Sequence, residues 1–314
     1  MSRYIIRRLG QLVIVLVIAS FGIFLLLRLI PGDPAAVLAG PDADPATIAR
    51  IHGQLGLDHP VPEQYAIWLS HVVHGDFGRS YFSGRSVSAL ISQAAPVTAQ
   101  LGIAGFVVAL LIGMPFGILA GTSNHPVVNF VLTVFTTIVL GIPDFLFGIL
   151  YLLLFALTLR WLPPGGRVSI VSDPLAGLRT TILPALSLGL PLAAVYARFL
   201  RTSVREVMAQ DYVRVARAKG LHERTVVLRH ALGNALLPFL AVAGVSIGRL
   251  AGGTVIVETV FSWPGMGRLA AQAVASRDYL LFQGLVLYFV VAVVVANLLA
   301  DLVSWTLDPR IRHG

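Results

Sequence analysis

Gly244-Val-Ser246-Ile-Gly248 has the spacing of a nucleophile elbow, in which a strained strand-to-helix turn exposes a serine for acyl transfer. It lies inside an apolar run, 237–258, where Gly244, Gly248 and Gly252 recur every fourth residue. That period also describes a membrane helix packing through small residues, with Ser246 a polar member of the row. The nearest histidines in sequence, His222 and His230, stand outside the run in a basic stretch. His71 and His74, three apart on an expected helix with Asp76 nearby, have a spacing that suits a metal and equally an ordinary surface pair. A Walker A loop needs Gly-Lys followed by Ser or Thr, and the one lysine, Lys219, follows Ala218 and precedes Gly220. This chain does not cradle ATP in that way, so energy from ATP would have to come from a separate subunit.

Ionisable residues within apolar runs are the next candidates, because a charge in hydrocarbon is costly and faces a cavity or a partner. Arg249 stands about 19 Å along its expected helix, counted from residue 236 at 1.5 Å per residue, which is near mid-bilayer. Its guanidinium would steady a carboxylate on a translocation path, or pair with an acid from another helix. Glu258 is expected near the outer end of the same span, and Arg249, Ser246 and Glu258 are the candidate path residues. Asp144 and Asp301 are expected closer to membrane edges.

The elements that must position these groups are written for lipid. Of 314 residues, 56% are hydrophobic and 12% charged, with a mean hydropathy of +0.83, whereas about a quarter of a soluble domain is charged. This predicts an all-α polytopic membrane protein with one membrane domain and a modest extramembrane insertion. The absence of cysteine excludes a disulfide framework and a thiolate metal site. The net charge of +8 rests on 22 arginines and one lysine, which gather at the edges of apolar runs and suit anionic headgroups rather than nucleic acid.

Residues 1–8 are a basic leader carrying Arg3, Arg7 and Arg8, and residues 9–27 are uncharged. That run exceeds the ~7–15 apolar residues of a signal peptide and spans a bilayer, so it reads as an uncleaved first helix with its N-terminus inside. Residues 31–96 hold six acids against three arginines and are rich in proline, as an external subdomain would be. Within it PDADPATIARIHGQLGL reads as a helix entered through proline, and EQYAIWLSHVVHG as an amphipathic helix with Tyr65, Trp68, Leu69 and Val72 on one side. Apolar runs at 97–121, 127–159, 180–200, 237–258 and 281–304 bring the spans to six, the third tilted or broken near Pro143. The inner segments 1–8, 122–126, 201–236 and 305–314 then hold twelve Lys or Arg and the outer ones eight, which places both termini inside. Arg160, Arg167 and Arg179 on the second outer loop run against that bias. The row Gly113, Gly117, Gly121 and the row Gly244, Gly248, Gly252 mark either a subunit interface or the path itself.

One long polar segment separates two of these runs: Asp211 to Pro238, DYVRVARAKGLHERTVVLRHALGNALLP. Arg214, Arg217, Lys219, Arg224 and Arg229 against Asp211 and Glu223 place it at a cytoplasmic face. Asp211 is expected to cap a helix over 212–219, and Gly220 to supply the positive φ that ends it. Ala216, Ala218 and Gly220 leave the helix surface low enough for a groove on another protein to approach, with Arg217 and Lys219 beside it. A plain basic juxtamembrane segment with no partner has the same charge.

Here the chain resembles the permeases of ABC importers, whose cytoplasmic loop has Glu-Ala-Ala, three residues, Gly, nine residues, then Ile-x-Leu-Pro. Ala216, Gly220 and Leu232 fit that pattern, while Arg214, His230 and Gly233 depart from it, with Pro238 following five residues later. The departures match one subfamily, the first permease subunit of dipeptide, oligopeptide and nickel importers. YIIRRL at 4–9, PGDPA at 31–35, LGLDHP at 55–60, GDFGRS at 75–80, ARAKGL at 216–221, RHALGNALLP at 229–238, VETVFSWPGMGRL at 257–269, RDY at 277–279 and NLLADLVSWTLDPRIR at 297–312 all resemble that group in its order.

The resemblance implies a type I importer permease fold: 1–30 as leader and first helix, 31–96 as external subdomain, and 97–314 as a five-helix core with the coupling loop 201–236. It implies an inner-membrane permease subunit for peptides that is not itself an enzyme. Its partners would be a homologous second permease, two cytoplasmic ATPases that bind the ATP and magnesium, and an external solute-binding protein docking on 31–96. No cofactor or metal is expected in this chain. The coupling contact would fall on Asp211, Arg214, Ala216, Arg217, Ala218, Lys219, Gly220 and Leu221. Nickel-chelate or glutathione import are alternatives within the group. Outside it stand an ion-coupled secondary transporter, which should show repeated halves with matching membrane carboxylates, and an intramembrane hydrolase resting on Ser246.

Overall fold

A computed structural model of the chain describes residues 2–29, 34–39, 43–54 and 56–307. Among them there are helices and no strands, only an isolated bridge between Arg79 and Ser86. The order is α1 (Ser2–Leu29), α2 (Pro34–Ala39), α3 (Pro45–Gln54), α4 (Val61–Val73), α5 (Val87–Thr122), α6 (Pro126–Gly141), α7 (Asp144–Tyr151), α8 (Pro174–Met208), α9 (Asp211–Ala218), α10 (Glu223–Thr225), α11 (Leu232–Val260), α12 (Met266–Ala275) and α13 (Tyr279–Leu307). Wide π-helical turns extend α7 through Leu152–Thr158 and join α10 to α11 through Val226–Ala231.

Among the described residues four helices are long and apolar enough to cross a membrane, within Val87–Thr122, Pro174–Met208, Glu223–Ser246 and Tyr279–Leu299. The run 127–159 is broken where expected: Pro126–Gly141 and Asp144–Thr158 meet at 98° across Ile142-Pro143, since a proline disfavours helical backbone at the residue before it. Counting that pair as one span gives five, and α1 adds a shorter apolar helix, Gly10–Leu25.

Contacts divide the chain into two compact units, one of residues 1–97 with 265–294, the other of residues 98–264 with 295–314. In the first unit, α3 starts at Pro45 with the Asp44 carboxylate accepting from Thr47 N at 3.0 Å; Thr47, through its side chain and then its backbone N–H, holds the Asp44 pKa below the ordinary value. α4 lays Tyr65 and Trp68 against α1, where the Tyr65 ring meets Phe21 and Phe24 at 5.3 Å and Trp68 meets Phe24 at 5.8 Å. A second core joins Val87, Ile91 and Ala94 of α5 with Met266, Ala270 and Ala273 of α12 and Leu281 and Leu285 of α13.

In the second unit the first glycine row resolves into a contact inside the chain. A methyl group on Gly113 would lie 2.6 Å from Ala193 O, on Gly117 2.7 Å from Leu200 Cβ, and on Gly121 2.7 Å from Val204 Cβ. α5 and α8 therefore touch backbone to backbone along these turns, which no larger residue permits. Gly252, from the second row, has open space beside it. Two of the arginines that run against the expected charge bias are also engaged within this unit. Arg167 donates to Gln100 Oε1 from Nε at 3.0 Å and Nη2 at 2.7 Å, and Arg179 donates to the Trp161 carbonyl at 3.2 Å.

Candidate functional site

The polar segment 201–236, expected as a loop, is mostly helix. α8 continues through Arg198, Arg201 and Arg205 to Met208, and helix resumes at Glu223. Arginine, glutamate and leucine are good helix formers, so charge takes the chain out of lipid without ending the helix. Only 209–210 and 219–222 are non-helical between α8 and α10.

Between those breaks stands α9. Its N-cap is Gln210, whose side chain makes no capping bond. Asp211 is instead the first helical residue, where its charge suits the helix dipole, and it pairs with Arg214 at 2.7 Å. The capping expectation for Asp211 is thus corrected. The far end follows the expected logic: Gly220 has φ of +75°. Gly220 N donates to Arg217 O at 2.9 Å and Leu221 N reaches back toward Ala216 O at 3.4 Å. This is a Schellman ending, which satisfies carbonyls the helix leaves open.

One face of α9 is inward. Val213 and Ala216 are buried with Val226, and Met208 packs against them. Ala216 therefore seats the helix on its own chain and is not part of the surface it presents. The outward residues are Asp211, Tyr212, Arg214, Val215, Arg217, Ala218, Lys219, Gly220 and Leu221. Two side-chain ties fix the orientation. Arg217 grips Glu223 with both ends of its guanidinium, Nη2 to Oε1 at 2.6 Å and Nε to Oε2 at 3.1 Å, across the four-residue turn. That grip holds the Glu223 carboxyl below its usual range and raises the guanidinium. Asn234 of α11 donates to the Tyr212 hydroxyl at 2.8 Å. Neither tie is legible in sequence, because an Arg and a Glu six apart across a glycine have no fixed register.

The result is a short, anchored helix. Its outer surface carries Lys219 and the paired Arg214 and Asp211 beside half-exposed Val215, Tyr212 and Leu221.

The path candidates stand apart from it on α11. Ser246 is buried and its hydroxyl donates to Val242 O of its own helix at 2.7 Å, with no strand-to-helix turn. Glu258 is fully buried and accepts from Thr98 Oγ1 of α5 at 2.6 Å. Twelve residues of helix separate the two by about 18 Å. The side chain of Arg249 lies outside the described residues. Among the described residues no group of three metal-ligating side chains gathers; His74 Nδ1 donates to Ser70 O at 2.7 Å and Asp76 accepts from Gly78 N at 2.9 Å.

A polar knot that the sequence pattern did not suggest lies in the first unit. Asp278, 1% exposed, accepts from Ser80 Oγ at 2.5 Å and from Phe82 N at 3.3 Å, and its own Oδ1 meets Leu281 N at the start of α13. It ties the blocks GDFGRS and RDY together across 198 residues.

Two family descriptions match this chain. Residues 113–313 match the binding-protein-dependent transport system inner membrane component, and residues 1–102 the N-terminal part of such membrane components. A probable peptide ABC transporter permease protein, y4tP, of Sinorhizobium fredii is 40% identical over 313 residues, covering both chains completely. The glutathione transport system permease protein GsiC of Salmonella choleraesuis is 39% identical with the same full coverage. A putative peptide transport system permease protein of Brucella abortus is 38% identical, again over both chains. In fold, the chain is similar to an inward-facing crystal form of the MetNI methionine ABC transporter, with a TM-score of 0.56 and 16% identity over 70% of this chain and 96% of that one.

Proposed function

Because the chain belongs to the binding-protein-dependent transport system inner membrane components, we propose that it is the permease subunit of an ATP-driven ABC importer for peptides. The peptide class rests on the peptide permeases it is similar to along its whole length, and glutathione, itself a short peptide, falls in the same class. It crosses the inner membrane six times with both termini cytoplasmic, α1 and the broken pair α6–α7 completing the four long spans. A second permease of the same kind supplies the other half of the path, two cytoplasmic ATPases drive the pair, and an external binding protein delivers substrate at the face formed by residues 31–96.

The observation that carries this reading is α9. A helix of eight residues has no stability of its own, yet this one is seated by Val213 and Ala216, stopped by Gly220 and clamped by Arg217–Glu223 between two long helices. Displacement at its outer surface therefore reaches α8 and α11 as a rigid movement, which is how closure of an ATPase dimer would switch access across the membrane. Asp211, Arg214, Arg217, Ala218, Lys219, Gly220 and Leu221 form the contact or support it, and Ala216 seats it. ATP and its metal belong to the partners.

Co-purification from membranes tests this. Wild type should bring down a second permease and ATPases, and Gly220→Glu should lose the ATPases while keeping the permease. Wild type that comes down alone and transports in vesicles without ATP overturns the proposal in favour of ion coupling.

A further inference from the structure

The external helix α4 packs at an unexpected height. With the N-terminus of α1 inside, the outer end of its apolar run is marked by Arg28. Tyr65 of α4 shares a 2.8 Å hydrogen bond with Ser20 Oγ and its ring packs on Phe21 and Phe24, while Trp68 packs on Phe24. At 1.5 Å per residue, Phe24 and Ser20 lie about 6 and 12 Å along the helix on the membrane side of Arg28. The same stretch of α1 exposes Val17, Ile18 and Phe21, which only lipid or another apolar surface covers. Whatever covers Phe21 is at the level of Tyr65.

α4 is also built for two surroundings. Ala66, Leu69 and Val73 follow one another at i, i+3 and i+7 and form an apolar stripe beside the α1-facing side, with Val73 75% exposed. Glu63, Ser70 and His74 lie on another side, all exposed, with Ile67, 43% exposed, among them, so this side is mainly rather than wholly polar. Tyr and Trp, the residues that favour a membrane boundary, stand at the contact with α1. A helix projecting into water would leave the Val73 stripe wet at a cost of about 25 cal/mol per Å2.

We infer that α4 lies in the outer membrane–water boundary, its Ala66–Leu69–Val73 stripe in the acyl region and its Glu63–Ser70–His74 stripe toward the headgroups and water. The Phe24 contact, about 6 Å in, falls within the roughly 5–10 Å to which such helices sink, and the Tyr65 hydroxyl at the tip of its side chain reaches one turn deeper, to Ser20. Its occupant is lipid, and this needs only that α1 crosses the bilayer with its N-terminus inside, whatever the chain transports. The preceding helix, α3, is left as a part of 31–96 available to a water-soluble partner.

The chain has no cysteine, so single Ala66→Cys, Val73→Cys and Ser70→Cys variants of the full chain carry one spin label each on an otherwise native background. In nanodiscs, collision rates with oxygen, which concentrates in lipid, and with a water-soluble nickel chelate report each label's surroundings. The expected result is oxygen-rich, chelate-poor labels at 66 and 73 and a severalfold higher chelate rate at 70. Equal chelate access at all three places α4 in water and overturns the inference. Low access to both agents at 66 and 73 means a protein covers the stripe, and overturns it equally. Co-purification of ATPases is independent of these rates, so failure here is distinguishable from failure of the importer reading.

Discussion

Gly220 offers a way to separate backbone strain from contact with a partner. Its φ of +75° lies in the left-handed region, and a Cβ built there meets nothing within 4 Å of this chain. Within the chain, any penalty for a side chain is therefore conformational rather than steric. An L-residue in that conformation costs roughly 1–2 kcal/mol, and asparagine, which enters it several-fold more readily than most residues, pays less. One to two kcal/mol is a factor of about 5–30 in the population of the turn. Gly220→Ala should therefore weaken the Schellman ending, detach α9 from its Arg217–Glu223 clamp part of the time, and lower both ATPase co-purification and peptide uptake by up to that factor. Gly220→Asn should stay near wild type in both assays. The result that refutes this reasoning is Gly220→Asn failing as deeply as Gly220→Ala: the requirement would then be clearance for a partner at the glycine and not the shape of the turn. An unimpaired Gly220→Ala would show that the turn does not hold α9.

Three further outcomes follow from the packing. Gly113→Ala places its methyl 2.6 Å from Ala193 O, 0.8 Å short of ordinary contact, and should cost about 1–3 kcal/mol in detergent stability, while Gly252→Ala, in open space, should be neutral or slightly stabilising; thermal unfolding of the purified variants checks the pair. Asp278→Asn leaves the Ser80 hydroxyl and Phe82 N with a weaker acceptor and should cost about 1–3 kcal/mol, read as faster protease cleavage near residues 78–84 with α9 unaffected. Burial, followed by the charge of Asp278, pushes the Tyr81 hydroxyl up to about 12 from 10.0. Its folded pKa is raised, so its contribution to stability is complete below pH 10 and is lost as pH rises toward 12. The ultraviolet difference titration of wild type against Tyr81→Phe should be flat to about pH 11 and open above it.

Much of this protein was legible in its sequence because the bilayer imposes a local rule: backbone in hydrocarbon must be helical, so length and hydropathy alone locate the long spans. Local chemistry also fixed the break near Pro143, the entry to α3 at Pro45 and the stop at Gly220, each a matter of one residue's φ or missing N–H. The blocks shared with ABC permeases gave the family. The sequence misread what depends on neighbours distant in the chain. Asp211 looked like a cap, yet Gln210 holds that position. The charges of 201–236 looked like loop, yet α8 and α11 run through them, since leaving lipid does not require leaving the helix.

What only the tertiary structure decided are the partners of each side chain. The Gly113 row could have faced another subunit; it faces α8, because Ala193, Ala197 and Leu200 present the complementary groove. Arg167 looked misplaced by charge, and Gln100 sixty-seven residues away engages it. Ser80 and Asp278 are separated by nearly two-thirds of the chain and meet at 2.5 Å. Periodicity tells which face of a helix is apolar, but a hydrogen bond needs two atoms brought within 3 Å, and only the packing of whole helices against one another sets that distance.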